Sequence, residues 1–270
     1  MKRIFLLLAT IGSMFLTACS TQDDTSHLEI KSSASTFENP YLFIGQLHNE
    51  AMDSVKAQNV SIGNIKEFTK EFTNRHYHQV SNYSEETPVE KVKIDSSFRS
   101  IDNGFDIGMK TRLAKTRATV DHLTDSLIMA FPVEGKKYIE RIYDVCDREM
   151  YDTVQINIIF DDLDNSIHED INIDDTLRHT LLAISSIGRA TNIYNARANT
   201  NKTRGASAGS VCRADVSGAI SGIIGRAAFV RAAFSGFVFG PGGVVTSFAR
   251  DAVRGAIVGS AVNLISGGKF

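Results

Sequence analysis

Two groups of polar residues in this 270-residue sequence could bind a metal ion, and the first is the acidic run from Asp161 to Asp175. Carboxylate oxygens are the ligands that calcium prefers, and an EF-hand loop starting at Asp162 would have Asp164 at its third position. However, Ile167 stands where that loop needs a glycine, and Ile173 stands where it needs a bidentate glutamate. A solvated loop that ends in a helix cap is therefore the favoured interpretation, and no metal is expected there.

Histidines form the second group. His76 and His78 flank Tyr77, and residues two apart face together on a strand but not on a helix. Neither a CxxC nor an HExxH pattern accompanies them, so the sequence does not predict a zinc site. The stretches His48-Asn49-Glu50 and Asp121-His122 place histidine beside groups that could take part in acid–base chemistry. A chain with seven histidines offers such neighbours by chance.

Motifs for nucleophilic catalysis and for phosphate binding are missing from the sequence. It contains no GxSxG nucleophile elbow. The stretch Gly218-Ala219-Ile220-Ser221-Gly222 lacks the Gly-Lys-Ser/Thr ending of a phosphate loop. The formal net charge of −2 gives no reason to expect nucleic acid as a partner. We therefore expect no enzyme, no cofactor and no nucleic-acid binding.

Besides Cys19, the sequence has two cysteines, Cys146 and Cys212. In an oxidising compartment two such thiols can pair, and the bond would join the C-terminal tail to the preceding part of the chain. Two free, buried cysteines are the alternative. The sequence leaves both open.

The N-terminal residues have the features of an export signal. Lys2 and Arg3 precede an apolar stretch, Ile4 to Phe15, that is too short to span a bilayer comfortably. The tetrapeptide Leu16-Thr17-Ala18-Cys19 resembles the lipobox of bacterial lipoproteins. This resemblance implies cleavage before Cys19 and acylation of that residue, for example with palmitate, and two or more acyl chains give stable membrane attachment. An ordinary secretory signal with a chance cysteine is the alternative.

The residues after Cys19 bear on the destination of the protein. Ser20, rather than aspartate, favours the outer membrane by analogy with Gram-negative sorting rules. Asp23-Asp24 resembles the acidic surface-export signal of Bacteroidota lipoproteins, and a solvated tether is the alternative. The stretch from Asn39 to Val55, NPYLFIGQLHNEAMDSV, is also similar to uncharacterised Bacteroidota lipoproteins. These resemblances imply an outer-membrane lipoprotein, on the periplasmic face or at the cell surface.

Helical periodicity dominates the chain between the tether and the tail. Apolar residues recur at helical spacing in five segments: Leu42 to Val55, Ser61 to His78, Met109 to Phe131, Gly135 to Met150 and Thr176 to Tyr194. The run Val154 to Phe160 fits either a strand or a buried helix turn. Asn103-Gly104 is typical of a turn within Ile101 to Gly108. Asp174 or Asp175 can cap the helix that follows them.

Glycines line two apolar segments of the tail, Asp215 to Phe239 and Val244 to Ile265. Between them, Gly240-Pro241-Gly242-Gly243 predicts a turn and hence an antiparallel helical hairpin. On a helical wheel the small residues fall on one face of each segment, where helix backbones can approach closely. The predicted packing positions are Gly218, Gly222, Gly225 and Gly236 on the first segment, and Gly255 and Gly259 on the second.

Charged residues argue against a simple membrane span by this hairpin. The first segment contains Arg226 and Arg231, and the second contains Arg250, Asp251 and Arg254. A central arginine costs about 2.5–3.5 kcal/mol on insertion scales, although Asp251 could pair with an arginine of the first segment. The tail resembles the glycine-zipper hairpins of bacterial outer-membrane lipoproteins and, less closely, glycine-rich two-peptide bacteriocins. It departs from both in its arginines.

The sequence thus predicts a mainly α fold, with a helical body followed by a glycine-rich antiparallel helical hairpin. The expected organisation is a signal peptide (1–18), a flexible tether (19–39), an α-helical body (40–195), a linker (196–213) and the hairpin (214–270). We expect a lipid-anchored, non-catalytic binding or scaffold module of the cell envelope. Its partners would be the membrane, through the anchor, and a protein or second copy, through the hairpin. The alternatives are a membrane-active effector, whose hairpin inserts into a target bilayer, and a hydrolase of envelope polymers.

Overall fold

A computed structural model describes residues 37–76, 99–113, 117–148, 152–199, 211–223 and 241–265. The described residues form helices and no strand, which confirms the predicted mainly α fold. The helices are α1 (Leu42–Ala57), α2 (Ile65–Arg75), α3 (Arg99–Leu113), α4 (Arg117–Ala130), α5 (Val133–Asp147), α6 (Thr153–Glu169), α7 (Asp175–Asn199), α8 (211–223) and α9 (Pro241–Ile265). A 3-10 helix, Ile62–Asn64, precedes α2. These elements belong to one compact unit, Ala34–Phe270.

Aspartates cap the first turns of α6 and α7. The run Val154 to Phe160, which fits a strand or a helix on sequence grounds, is part of α6, and the carboxylate of Asp152 accepts a hydrogen bond from the Val154 amide at 2.9 Å. The carboxylate of Asp174 accepts from the amide of Leu177 at 2.7 Å and caps α7 in the same way. Both caps satisfy amide groups that have no partner within the helix.

The predicted linker, 196–213, overlaps two helices. Helix α7 extends to Asn199 and α8 begins at 211. The residues between them, 200–210, lie outside the described part of the chain. The predicted turn Gly240-Pro241-Gly242-Gly243 also overlaps a helix, because α9 begins at Pro241. Proline suits the first turn of a helix, where its missing N–H is not needed.

Helix α3 runs through Asn103-Gly104, where the sequence predicts a turn, and that prediction is wrong. The structure shows a different use for the glycine. A Cβ atom at Gly104 would lie 2.6 Å from the carbonyl oxygen of Gly255 in α9, and one at Gly108 would lie 3.1 Å from the carbonyl oxygen of Gly259. Glycine is needed here because two helix backbones touch, so its cost to the helix is offset by close packing.

Helix α8 packs against the same glycines of α9. A Cβ atom at Gly218 would lie 2.5 Å from the carbonyl oxygen of Gly255, and one at Gly222 would lie 2.3 Å from that of Asp251. Gly222 comes one turn after Gly218 in α8, whereas Asp251 comes one turn before Gly255 in α9. The two helices are therefore antiparallel. Four of the predicted packing glycines therefore lie at helix contacts: Gly218, Gly222, Gly255 and Gly259. Gly225 and Gly236 lie outside the described residues.

The C-terminal half of α9 is buried in the helical body. Residues 250–262 are all buried, and α9 packs against α1, α2, α3 and α7. Val253 and Ile257 belong to the core that contains Ile44 and Leu47 of α1. The tail therefore shares a hydrophobic core with the body. None of the described helices combines the length and the apolar character needed to cross a bilayer.

Replacing Gly255 by alanine should destabilise the protein. The new Cβ atom would lie 2.1 Å from the carbonyl oxygen of Gly218 and 3.0 Å from the Cα atom of Gly222, and these backbone atoms of α8 cannot turn aside as a flexible side chain could. Alanine gains about 1 kcal/mol of helix propensity, but overpacking against backbone costs more, so we expect a net loss of about 2 kcal/mol. Urea unfolding followed by circular dichroism measures this loss.

The matched control is Gly63→Ala. A Cβ atom there meets only the Ser61 hydroxyl, at 3.9 Å. Its free energy of unfolding should stay within about 0.5 kcal/mol of wild type. Equal stability of the Gly255 and Gly63 variants would show that α9 does not touch α8 at Gly255.

Candidate functional site

Four buried polar side chains from four helices meet beside the glycine contacts. They are His48 of α1, Thr191 of α7, Asp215 of α8 and Ser260 of α9, and each is at most 3% exposed. His48 reaches this position because it lies on the buried face of α1, one turn after Ile44. We call these four residues the Asp215 cluster.

The carboxylate of Asp215 is the centre of the cluster. The Thr191 hydroxyl donates to its Oδ2 at 2.7 Å, the Ser260 hydroxyl donates to its Oδ1, and His48 Nε2 lies 3.6 Å from Oδ2. Burial raises the pKa of Asp215, while the charge of His48 and the two hydroxyl hydrogen bonds act in the opposite direction. Because the partners come from three other helices, the cluster fixes α8 against α1, α7 and α9.

The Asp215 cluster contains the residue types of a hydrolase triad in a different arrangement. In such a triad the carboxylate holds Nδ1 of the histidine while the serine faces Nε2. Here Nε2 of His48 faces both Ser260 Oγ, at 3.0 Å, and Asp215, whereas Nδ1 faces Asn49 Oδ1 at 3.2 Å. Ser260 is also buried and lies 2.7 Å from the carbonyl oxygen of Ala256. This arrangement suits helix packing better than nucleophilic attack on a substrate.

A second buried carboxylate, Asp164 of α6, binds α7 and the residues that precede α1. It accepts hydrogen bonds from the Ser185 hydroxyl at 2.6 Å and from Asn39 Nδ2 at 3.0 Å, and Arg189 NH1 lies 3.7 Å away. Burial raises the pKa of Asp164 to about 6, while the hydrogen bonds from Ser185 and Asn39 and the charge of Arg189 act in the opposite direction. The side chain therefore accepts a proton in the folded protein more readily than in water.

Asn39 fixes the start of the helical body. Its amide nitrogen also donates to the carbonyl oxygen of Leu182 at 3.0 Å, and its Oδ1 accepts from the amide of Tyr41 at 2.9 Å. Through these contacts Asn39 attaches the first described residues to α6 and α7.

Charged residues of α9 are buried within the body. Arg250, Asp251 and Arg254 are each at most 3% exposed. Arg254 Nε donates to the Thr73 hydroxyl of α2 at 3.1 Å. The arginines of the first tail segment, which were predicted as partners for Asp251, lie outside the described residues. In the described part of α9, the charge of Arg254 is directed towards another helix of the same chain.

A disulfide bond joins Cys146 of α5 to Cys212 of α8, with a Cα–Cα distance of 5.4 Å. Both residues are buried, and Asn192 Nδ2 of α7 donates to Cys212 Sγ at 3.2 Å. The sequence leaves open whether these two cysteines are bonded or free, and in the structure they are bonded. It joins the tail to the body 66 positions earlier in the chain.

The metal candidates of the sequence do not form a site in the described residues, where no group of three or more His, Cys, Asp and Glu side chains could hold an ion. Asp162 and Asp164 lie on α6 rather than in a loop, and Asp162 forms an ion pair with Arg141 at 2.5 Å. His76 follows the end of α2, and its ring lies 4.3 Å from that of Phe72. His78, the other histidine of that pair, lies outside the described residues.

Thr191, Asp215 and Ser260 were not identified as a site from the sequence. The sequence does show an aspartate beside an apolar segment and a histidine on an apolar helix face. Neither feature indicates which residues of other helices it contacts. Cys19, the predicted lipidation site, lies outside the described residues.

No protein-family model matches the chain, and no curated protein or solved structure matches it.

Replacing Cys146 and Cys212 together by serine should lower stability by roughly 4 kcal/mol, because the bond closes a long loop and restricts the unfolded chain. Urea unfolding of the double variant measures the difference. Cys19→Ala is the matched control, since it removes a cysteine without touching the disulfide, and it should unfold like wild type. Alkylation of Cys146 or Cys212 in denatured, unreduced protein would contradict the bond.

The raised pKa of Asp164 predicts a pH-dependent stability. Between its unfolded value near 3.9 and its folded value of about 6, the folded state binds the extra proton. Its contribution to stability is thus fully present below pH 4 and is lost as pH rises through 6, a change of about 3 kcal/mol. The difference in free energy of unfolding between wild type and Asp164→Asn should shift by most of this amount, about 2 kcal/mol, from pH 4 to pH 7. A difference that stays constant would show that Asp164 does not titrate in this way.

Proposed function

We propose that this chain is a lipid-anchored protein of the bacterial cell envelope, and that its helical body is a non-catalytic binding or scaffold module. The lipobox-like tetrapeptide ending at Cys19 supports the anchor. The Cys146–Cys212 disulfide supports export, because such bonds form and persist in oxidising compartments. Attachment at the outer membrane follows from Ser20 by the Gram-negative sorting analogy.

The observation that carries this proposal is the position of the tail's glycine face. Gly255 lies against Gly104 of α3 and Gly218 of α8, so its small-residue surface is occupied within the chain. The opposite face lies in the hydrophobic core. A tail held in this way supports a stable structural body better than a free membrane-inserting hairpin.

The polar clusters also favour a non-catalytic role. Asp215 and Asp164 each lie at a junction of helices, and their partners are buried side chains of the same chain. Catalysis needs a reacting group that a substrate can approach to within hydrogen-bond distance. Neither carboxylate meets this requirement, so an envelope-polymer hydrolase has little support.

A membrane-active effector is the second candidate, favoured by one observation. Helix α9 has 25 residues and is rich in glycine and apolar side chains, and its residues 250–262 are buried in the body. Its insertion into a bilayer would have to break the contact of Arg254 with Thr73 and move buried arginines into lipid. The folded full-length chain should therefore leave dye-loaded vesicles intact, and dye release would favour the effector.

Cell fractionation tests the anchor. Wild type, expressed in a Gram-negative host, should sediment with membranes and resist carbonate extraction, because acyl chains on Cys19 hold it there. Cys19→Ala should be recovered in the soluble fraction, since the described tail is packed into the body. The distribution of each chain is measured by immunoblotting.

The control for this experiment is the variant with Cys146 and Cys212 both replaced by serine. It lacks the disulfide but keeps Cys19, so any folded fraction should remain membrane-bound. A Cys19→Ala variant that still resists carbonate extraction would refute anchoring by lipid alone and would favour a span elsewhere in the chain.

A further inference from the structure

Large apolar side chains are exposed at four positions in the described residues. Met129 at the end of α4 and Val133 at the start of α5 are each 75% exposed, and Ile171, between α6 and α7, is 92% exposed. The fourth, Val154, is 62% exposed and lies in the first turn of α6. Ile171 follows the other end of that helix, so about 25 Å of helix separates it from Val154.

Contacts place the first three of these side chains at the same end of the body. A Cβ atom at Gly135 would lie 3.0 Å from Phe131 and 3.1 Å from Leu177, which brings the α4–α5 junction to the start of α7. Lys137 Nζ donates to Asp170 Oδ2 at 2.6 Å, which brings the first turns of α5 to the end of α6. Met129, Val133 and Ile171 thus flank one set of helix ends, which we call the exposed end.

The described chain starts at the exposed end. The ring of Phe37 stacks on that of His168, in the last turn of α6, with centroids 4.0 Å apart. Asn39 then binds Asp164 one turn earlier in α6. The first described residue, Phe37, therefore lies at the same end of α6 as Ile171.

The length of the intervening chain limits how far the exposed end can be from an anchor at Cys19. The sequence predicts a flexible tether between Cys19 and Phe37, and a flexible chain of 18 residues would have an r.m.s. end-to-end distance of about 25 Å. The 25 residues of α7 extend over about 38 Å. A tether of this reach would keep the end of the body to which it is attached nearer the bilayer than the other end.

We propose that the exposed end is a membrane-contacting surface, in which Met129, Val133 and Ile171 insert into the interface of the bilayer that holds the anchor. This inference rests on the proposed lipid anchor. A lipid surface suits three separated apolar side chains because it adapts to them, whereas a protein partner would need a complementary contiguous patch. The three residues belong to two different junctions between helices, α4–α5 and α6–α7.

Charged side chains at the exposed end indicate whether the lipid headgroups that contact it are anionic or zwitterionic. Acidic groups exceed basic ones there: Glu38, Glu134, Glu169, Asp170, Asp174 and Asp175, against Lys136, Lys137 and Arg178. Lys137 and Arg178 are already engaged with Asp170 and Asp175. Anionic lipid headgroups would repel this surface, so a zwitterionic membrane is the expected partner.

Site-specific fluorescence tests the inference. In the acylated, disulfide-bonded chain, Ile171→Cys supplies a single free thiol for an environment-sensitive dye, and Val154→Cys supplies the matched control at the other end of α6. The labelled full-length proteins are reconstituted on phosphatidylcholine vesicles and quenched with aqueous iodide. Anchoring should reduce quenching at position 171 about threefold relative to the same label on a soluble Cys19→Ala background, and leave position 154 unchanged.

Vesicle flotation separates the possible failures. If the chain floats with the vesicles but position 171 stays as accessible to iodide as in the soluble form, the membrane-contacting surface is refuted and the anchor stands. Equal protection of positions 171 and 154 also refutes it, because the exposed end would then have no preference for lipid. A chain that does not float refutes both the surface and the anchor on which it rests.

Discussion

Gly255 and Gly259 allow the backbones of α3, α8 and α9 to touch, and much of the remaining structure depends on that contact. Gly104 and Gly218 approach Gly255 from two directions, at distances that exclude any side chain. Since one face of α9 is satisfied by backbone contact, its bulkier residues face α1, α2 and α7 and join the hydrophobic core there. The tail is therefore an interior part of the described body, although it comes last in the chain.

Buried polar groups add a constraint that glycine contacts alone cannot supply. A smooth glycine stripe allows helices to slide by a turn with little change in packing. Sliding α9 by one turn would move Ser260 away from Asp215 and leave a buried carboxylate with fewer partners, which is costly. The Asp215 cluster thus fixes the register of the tail, and Asp164 similarly fixes the position of the first body residues through Asn39.

The sequence contains enough information for the fold class and for the small-residue faces of α8 and α9, because helical periodicity and glycine spacing are local properties. It does not identify their partners. Gly104 shows why: Asn103-Gly104 is typical of a turn, and only the approach of α9 explains a glycine within a continuous helix. The Asp215 cluster was missed for the same reason, since its four residues come from four different helices whose packing is not a local property of the sequence. Cys146 and Cys212 could be named as candidates, but their bond depends on where α5 and α8 meet.

The resemblance of α9 to a membrane helix has a physical origin. Protein interiors and bilayers both favour apolar side chains, and both allow glycines where helices approach closely, so composition alone does not separate the two environments. Charged residues do separate them, because a buried arginine needs polar partners. Arg254 finds Thr73 within the same chain, where a lipid environment offers none. With the apolar tail held in the body by such contacts, membrane attachment would rest on the acylated Cys19 and on the few apolar side chains that remain exposed near the start of the body.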